Sequence, residues 1–366
     1  MFGASLKEAR LITSRIRFAI LNRMAAPSSE SIPAPAQMFA LLNGVYVAGA
    51  VACLAELGIP DLVEAGARSA ADLARQLRLQ SQPLYRLMRA TASVGVLSEG
   101  TDGRFSQTPL SAVLRSDADP SLRAFAMMSG REWHALGWSH LADCVRTGRQ
   151  ALDIVQGTQI FDFLEKTPEE AAIFNAAMSS LSAVQAPAVA AAYSFAGIKT
   201  IVDIAGGLGL LLATVLRAHP EIRGTLYDLP RVIDRAKTGP LESVLNRCDF
   251  ASGDMFVSVP QGADAYMMKH IIHDWPDEDC VKLLKACRKA VNPGGRLLVI
   301  DNVIRPGNDF APGKFLDLQM LIFPGGRERT EQEFRQLFDA AGWRLTRVIP
   351  TAVPESIVEA VPSEAV

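Results

Sequence analysis

Apolar residues recur at helical spacing from Met38 to Leu57 and stop at Gly58, just before Pro60, which predicts a helix over that stretch. The Pro/Ser-rich stretch before it, within 1–37, reads as a linker over 25–37. A short helix is expected over Ser69–Leu77 with Ser69 as its cap, then a second over Gln82–Ser93. Two short extended runs follow at 95–100 and 103–108, and two helices ahead of a two-stranded wing outline a winged helix within 38–115. Residues 116–197 read as a helical connector rich in large apolar groups such as Phe125, Met127, Trp133 and Phe163. From about 198 the period changes, and apolar runs alternate with helical segments as in an α/β domain over 198–352. Strands are expected at 200–204, 224–228, 247–251, 265–269, 296–303 and 344–348, with Pro293-Gly294-Gly295 as a turn. Helices are expected at 208–217, 230–237, 278–291 and 313–323, and another from the capping box Thr330-Glu331-Gln332-Glu333 to Gly342. Residues 353–366 are left as a tail.

Composition narrows the class. The 366 residues are 49% hydrophobic and 21% charged with a formal net charge of −2, which suits a globular protein of two domains and gives no electrostatic reason for bulk nucleic-acid affinity. Five cysteines without Cys-x-x-Cys pairing read as reduced thiols of a cytoplasmic protein, not a disulfide frame or zinc site. No apolar run approaches the roughly 18 residues of a membrane span, so no integral membrane segment is expected. Residues 1–24 alternate Lys7, Arg10, Arg15, Arg17 and Arg23 with apolar positions. The pattern is open to a targeting or membrane-surface helix but is read here as an amphipathic helix packed on the N-terminal domain or a partner subunit, since no uninterrupted apolar signal core is present. Arg86 and Arg89 lie on the second helix of the winged outline, where a DNA-reading helix would be. Leu84, Leu87 and Met88 occupy much of that helix and no basic cluster surrounds it, which favours a protein contact.

The chemistry concentrates in the α/β region. Ile201-Val202-Asp203-Ile204-Ala205-Gly206-Gly207-Leu208-Gly209 is an apolar strand running into a glycine turn, and Asp228 ends the next strand 19 positions beyond Gly209. Strand, glycine turn, helix, strand and carboxylate make the unit that binds a nucleoside cofactor, with the acid on the ribose hydroxyls. A dinucleotide fingerprint needs a small third residue, and Leu212 stands there. S-adenosylmethionine, which has no phosphate, suits the looser Gly-x-Gly turn. Asp254 can accept from an exocyclic amine while Met255 offers an amide and an apolar face, together an adenine edge. His270 and His273 fall where the fourth strand ends, at the carboxyl edge of the sheet. A histidine there can take a proton from a hydroxyl, with Asp301 and Glu328 as candidates to orient its ring. Two histidines three apart with Asp274 or Asp277 lack an obvious further ligand, so no metal is expected.

The ordered motifs Trp138-Ser-His-Leu141, Phe174-Asn-Ala-Ala-Met178, Val202–Gly209, Tyr227-Asp-Leu-Pro230, Gly253–Phe256, Lys269-His-Ile-Ile-His-Asp-Trp275 and Gly326–Glu331 resemble those of the class I S-adenosylmethionine-dependent O-methyltransferases, the family of plant caffeate-type, acetylserotonin and bacterial polyketide hydroxyl methyltransferases. The resemblance spans about 38–352. It implies a Rossmann-like methyltransferase domain with a mostly parallel seven-stranded sheet, and an N-terminal winged-helix domain that forms a homodimer and binds no nucleic acid. It implies O-methylation of a small, largely apolar or aromatic hydroxyl compound with S-adenosylhomocysteine as the other product. His273 would be the general base, its ring steered by Asp301 and Glu328. Cofactor contacts would come from Asp203, Gly206, Gly207, Gly209, Asp228, Leu229, Asp254, Met255, Phe256 and Lys269. The substrate pocket would draw on Trp138, Phe161, Phe174, Met178, Asp274 and Met320. Two positions depart from the family pattern. Ala205 replaces the first glycine of the turn, a mild change for a residue of negative φ. Asp301 stands where plant members carry Glu, one methylene shorter. The runner-up functions are a C- or N-methyltransferase on the same fold and a cofactor-binding winged-helix regulator.

Overall fold

The structure, a computed structural model, describes residues 33–363. The basic segment expected to form an amphipathic helix lies outside the described residues. The chain divides into two compact units, one holding residues up to 139 with 162–183, the other 140–161 with 184–363.

In the N-terminal unit the first helix, Ala34–Leu42, begins inside the stretch that composition assigned to a linker. Pro35 sits in its first turn, where the missing N–H leaves no bond unmade. Gly44–Glu56 continues it. Together they form a 23-residue stretch, Ala34–Glu56, long and apolar enough by length and composition to cross a membrane. That corrects the expectation that no run comes near that length. Met38, Phe39, Leu41, Leu42, Val45 and Tyr46 are all exposed along it, an apolar surface of the kind that marks an interaction site. Ser69 caps Ala70–Leu77 by accepting from the Asp72 amide at 3.1 Å, and Ser81–Ser93 follows. The wing strands Leu97–Glu99 and Arg104–Gln107 pair as expected, with Arg68–Ser69 added on the outer side of the second. Leu54, Ile59, Leu73, Met88, Leu97 and Phe105 close the core of this unit.

The second unit is built on a seven-stranded sheet. Its strands are β1 (Thr200–Ile204), β2 (Arg223–Asp228), β3 (Cys248–Ser252), β4 (Ala263–Lys269), β5 (Val291–Asp301), β6 (Trp343–Pro350) and β7 (Ser356–Pro362). The order is β6-β7-β5-β4-β1-β2-β3, parallel from β5 to β3, with β7 antiparallel to both neighbours. Helices cover both faces, so the central strands are apolar on both sides. Met267 joins Leu212, Leu226 and Ile300 on one face, while Met268 joins Leu284, Phe338 and Trp343 on the other, the two-residue alternation of a strand.

Two expectations change here. The segment left as a tail contains β7, which sits inside the sheet between β5 and β6. Its Glu359 disguises it as a polar end, but that carboxylate receives Arg347 Nε and Nη2 at 2.9 Å each and the Tyr193 hydroxyl at 2.5 Å. The Pro293-Gly294-Gly295 turn lies within β5, where pairing with β4 shifts register between Ala263 and Ala265. Strand order reverses between β4 and β1, and the crevice at their carboxyl ends is where open α/β sheets bind ligands.

Candidate active site

The turn after β1 is left-handed at alternate residues: Ala205 φ 51°, Gly207 φ 61°, Gly209 φ 78°. Ala205 therefore does not have the negative φ that would make it a mild replacement. A left-handed alanine costs about 1–2 kcal/mol, and its amide is held by the Tyr227 carbonyl at 2.7 Å. At Gly206 an added methyl would collide with the Asp203 carboxylate and Leu226. Asp228 closes β2, its two oxygens accepting from the Gly207 amide at 2.9 Å and the Leu229 amide at 2.7 Å. Lone pairs remain on both oxygens for ligand hydroxyls. β3 ends alongside, with the Gly253 amide on the Asp228 carbonyl at 3.1 Å. Asp254 then accepts from the Phe256 amide at 2.9 Å, and Met255 and Phe256 are half-buried. The expected glycines, Asp228, Leu229 and Asp254–Phe256 thus gather along one edge of the sheet.

Asp203 and Lys269 lie deeper. Burial pushes the Asp203 carboxyl up to about 7 against the pull of the Lys269 ammonium, and its Oδ2 has no hydrogen-bond partner. Lys269 donates to Gln185 Oε1 at 3.0 Å, and burial pushes its pKa down despite nearby carboxylates.

His273 occupies a single 3-10 turn, Ile272–Asp274, and is buried. Its Nδ1 lies 2.7 Å from Glu328 Oε1. A carboxylate accepts, so Nδ1 carries the proton and Nε2 is left as the acceptor in the neutral ring. Asp274 Oδ1 is 3.5 Å from Nε2. Asp301 Oδ1 stops 3.9 Å from Nδ1 and instead accepts from the His270 amide at 3.1 Å. Of the two expected orienting acids, Glu328 makes the ring hydrogen bond and Asp301 supplies charge. Burial opposes a charged ring, but Asp301, Asp274 and Glu328 outweigh it and raise His273 to about 9. Burial raises Asp274 to about 6 and Asp301 to about 7, with His273 opposing both.

Several residues beyond the expected set hold this turn. Arg329, buried, donates to the Ile272 carbonyl at 2.8 Å and the Trp275 carbonyl at 3.0 Å and pairs with Asp277 at 2.6 Å. Gly326 packs flat on the turn, and a methyl there would run into the His273 carbonyl. Asp317 accepts from the Glu328 amide at 2.8 Å. The signal for Gly326 and Arg329 lay in the Gly326–Glu331 motif itself, beside Glu328. Trp275 receives Phe256 edge-on at 4.8 Å and Phe161 stacked at 6.2 Å. Met320 is buried on the helix Pro312–Ile322. Trp138, Phe174 and Met178 belong to the other unit and are half-buried there. Among the described residues no group of His, Cys, Asp and Glu is arranged to hold a metal ion.

Comparison with known proteins decides the family. An O-methyltransferase dimerisation domain matches residues 39–117 and an O-methyltransferase domain matches 138–344. The chain belongs to the O-methyltransferase family. It is 41% identical over 326 residues to mitomycin biosynthesis 6-O-methyltransferase of Streptomyces lavendulae, covering 87% of this chain and 92% of that one. It is 39% identical over 333 residues to phenazine O-methyltransferase PhzM of Lysobacter antibioticus, covering 91% and 97%. The crystal structure of LaPhzM superposes with a TM-score of 0.86 at 38% identity, covering 90% of this chain and 100% of that one. The methyltransferase is S-adenosylmethionine-dependent, and its residues fit that cofactor. The left-handed turn has open space at Gly207 beside Asp228, and Asp203 presents a buried oxygen with no partner.

Proposed function

We propose that this O-methyltransferase acts on a phenolic hydroxyl of a flat, largely apolar molecule, with His273 as the base. The carrying observation is the 2.7 Å contact of Nδ1 with Glu328, which fixes the tautomer that leaves Nε2 to receive a proton. Bound S-adenosylmethionine supplies a methyl group activated by its sulfonium. The chain's own work is to hold the acceptor in line and to take its proton on Nε2. A phenol of pKa about 10 and an imidazolium near 9 differ by about one unit, roughly 1.4 kcal/mol. The proton therefore moves between them at little cost, whereas an aliphatic alcohol is far too weak an acid. Phe161, Trp275 and Met320 supply aromatic and thioether surface, and a relative is named for phenazine, a flat fused aromatic. Gly206, Asp228, Asp254, Met255 and Lys269 would hold the cofactor, with the remaining expected contacts beside them. The exposed apolar surface of Ala34–Glu56, within and next to the matched dimerisation domain, supports a homodimer. Free thiols suit a cytoplasmic setting.

The test is mass spectrometry of a mixed panel of phenols, hydroxyquinones, hydroxyindoles, alcohols and amines incubated with S-adenosylmethionine. One methyl should be gained on a phenolic hydroxyl. His273→Ala should lose about 10²–10⁴-fold in turnover while cofactor affinity stays. Undiminished turnover in that variant would remove His273 from the role.

A further inference from the structure

His270 is one of three non-glycine residues with left-handed backbone among those described, φ 58°. Such strain persists only where the surroundings impose it. Here the His270 amide is held by the Ile300 carbonyl and by Asp301 Oδ1, both at 3.1 Å. The side chain is 15% exposed, and its ring stacks on that of His273, with centroids 4.8 Å apart and planes 19° from parallel. Behind it stands Glu355, just ahead of β7, with Oε1 3.3 Å from His270 Nε2 and 2.6 Å from Gln185 Nε2. The Gln185 oxygen receives Lys269, so Lys269, Gln185, Glu355 and His270 form one connected group. The His270–Glu355 approach is not aligned as a hydrogen bond: Nε2 of His270 and Oε2 of Glu355 each lack a partner.

The charged and titratable groups around His270 are Lys269, His273, Asp301 and Glu355. Burial, then the Lys269 ammonium, pushes its pKa down to about 3 against Glu355, so the ring is neutral at working pH. A neutral aromatic face beside a ring that becomes cationic is favourable, where a second cation would be repelled.

Resting on the reading of His273 as base, we propose that His270 is a positioning residue. Its imidazole is the platform that keeps the His273 ring in line with Glu328, and Glu355 with Gln185 braces that platform from behind. The role is that of a planar ring, not of a proton carrier.

The experiment compares full-length His270→Phe, which keeps a plane, with His270→Leu, which keeps bulk alone, using protein labelled with nitrogen-15 in histidine. The readout is the far-downfield Nδ1 proton of His273, assigned by its loss in His273→Ala, and its exchange with water. The unsubstituted protein and His270→Phe should hold that proton alike. His270→Leu should exchange it at least ~10-fold faster, and kcat on the acceptor found in the panel should fall ~10-fold with cofactor Kd unchanged. Equal exchange in the Leu and Phe variants overturns the platform, and so does absence of a protected proton in the unsubstituted protein. If His270→Leu does not fold, the Phe variant decides, since loss of the protected proton there is equally fatal. Full turnover in His273→Ala would instead remove the base assignment, while the Phe and Leu exchange contrast would still be read directly.

Discussion

A histidine with one carboxylate at 2.7 Å and two more within 4 Å is set up to hold a proton tightly. Its folded pKa of about 9 lies above the unfolded value of about 6.5. The stability it contributes is therefore fully present below about pH 6.5 and is lost as pH rises through about 9. Urea midpoints of the unsubstituted protein and His273→Ala should draw together across that window, and a constant gap would contradict the charge assignment. His270 has the opposite sign: its folded pKa of about 3 lowers stability as pH falls from about 6.5 toward 3. Turnover of an acceptor that binds as a neutral phenol should rise with pH to about 9, as Nε2 becomes free. Asp301→Asn keeps an acceptor for the His270 amide and removes a charge near the ring, so this rise should move to lower pH. A pH profile superposable on the unsubstituted one would show that the charge of Asp301 does not reach His273. At this scale the pairing of His273 with Glu328 was legible, because their motifs carry them. Gln185 and Glu355 were not, since Gln185 meets Lys269 across 84 positions and Glu355 meets Gln185 across 170. The strain at Ala205 was equally hidden: a residue type does not disclose its φ.

Elements that alternate cleanly were readable, and those stabilised from outside were not. The strands β1, β2 and β4 and the capping box of Glu331–Ala340 follow their local patterns. Arg68–Ser69 is too short to show a period and exists because Arg104–Gln107 pairs with it. The His273 turn is an element of the same dependent kind, held by Arg329 through two carbonyls and covered by Gly326. Gly326→Ala must push the His273 backbone aside. Turnover should drop about 10²-fold, with cofactor affinity retained, and isothermal titration alongside a rate assay separates the two. Equal turnover in the alanine variant would mean that the turn can shift without disturbing the base.

For the whole molecule, the change in hydrophobic period near residue 198 marks where the sheet begins but not where the units divide. The expected connector 116–197 is shared out: 140–161 and 184–197 go with the α/β unit, 116–139 and 162–183 with the other. The seven-strand count came from family likeness, because the pattern displayed only six. The exposed run from Met38 to Tyr46 was legible as helix but not as surface, since periodicity cannot say which apolar face lacks a partner within its own chain. Leu42→Glu combined with Tyr46→Glu should convert a dimer to a monomer by light scattering, with the folded core of that unit intact. A dimer that survives would place the association elsewhere. The position of β7 has a consequence for biosynthesis. It follows β6 in the chain yet lies between β6 and β5, so a growing polypeptide that has already emitted Val291–Asp301 has nothing to lay against that strand's outer side. Until Ser356–Pro362 leaves the ribosome, a long apolar edge stands open, the sort that pairs with other chains. A stop codon placed just ahead of Ser356 should then yield insoluble protein instead of a shortened enzyme, as a comparison of soluble and pelleted fractions would show.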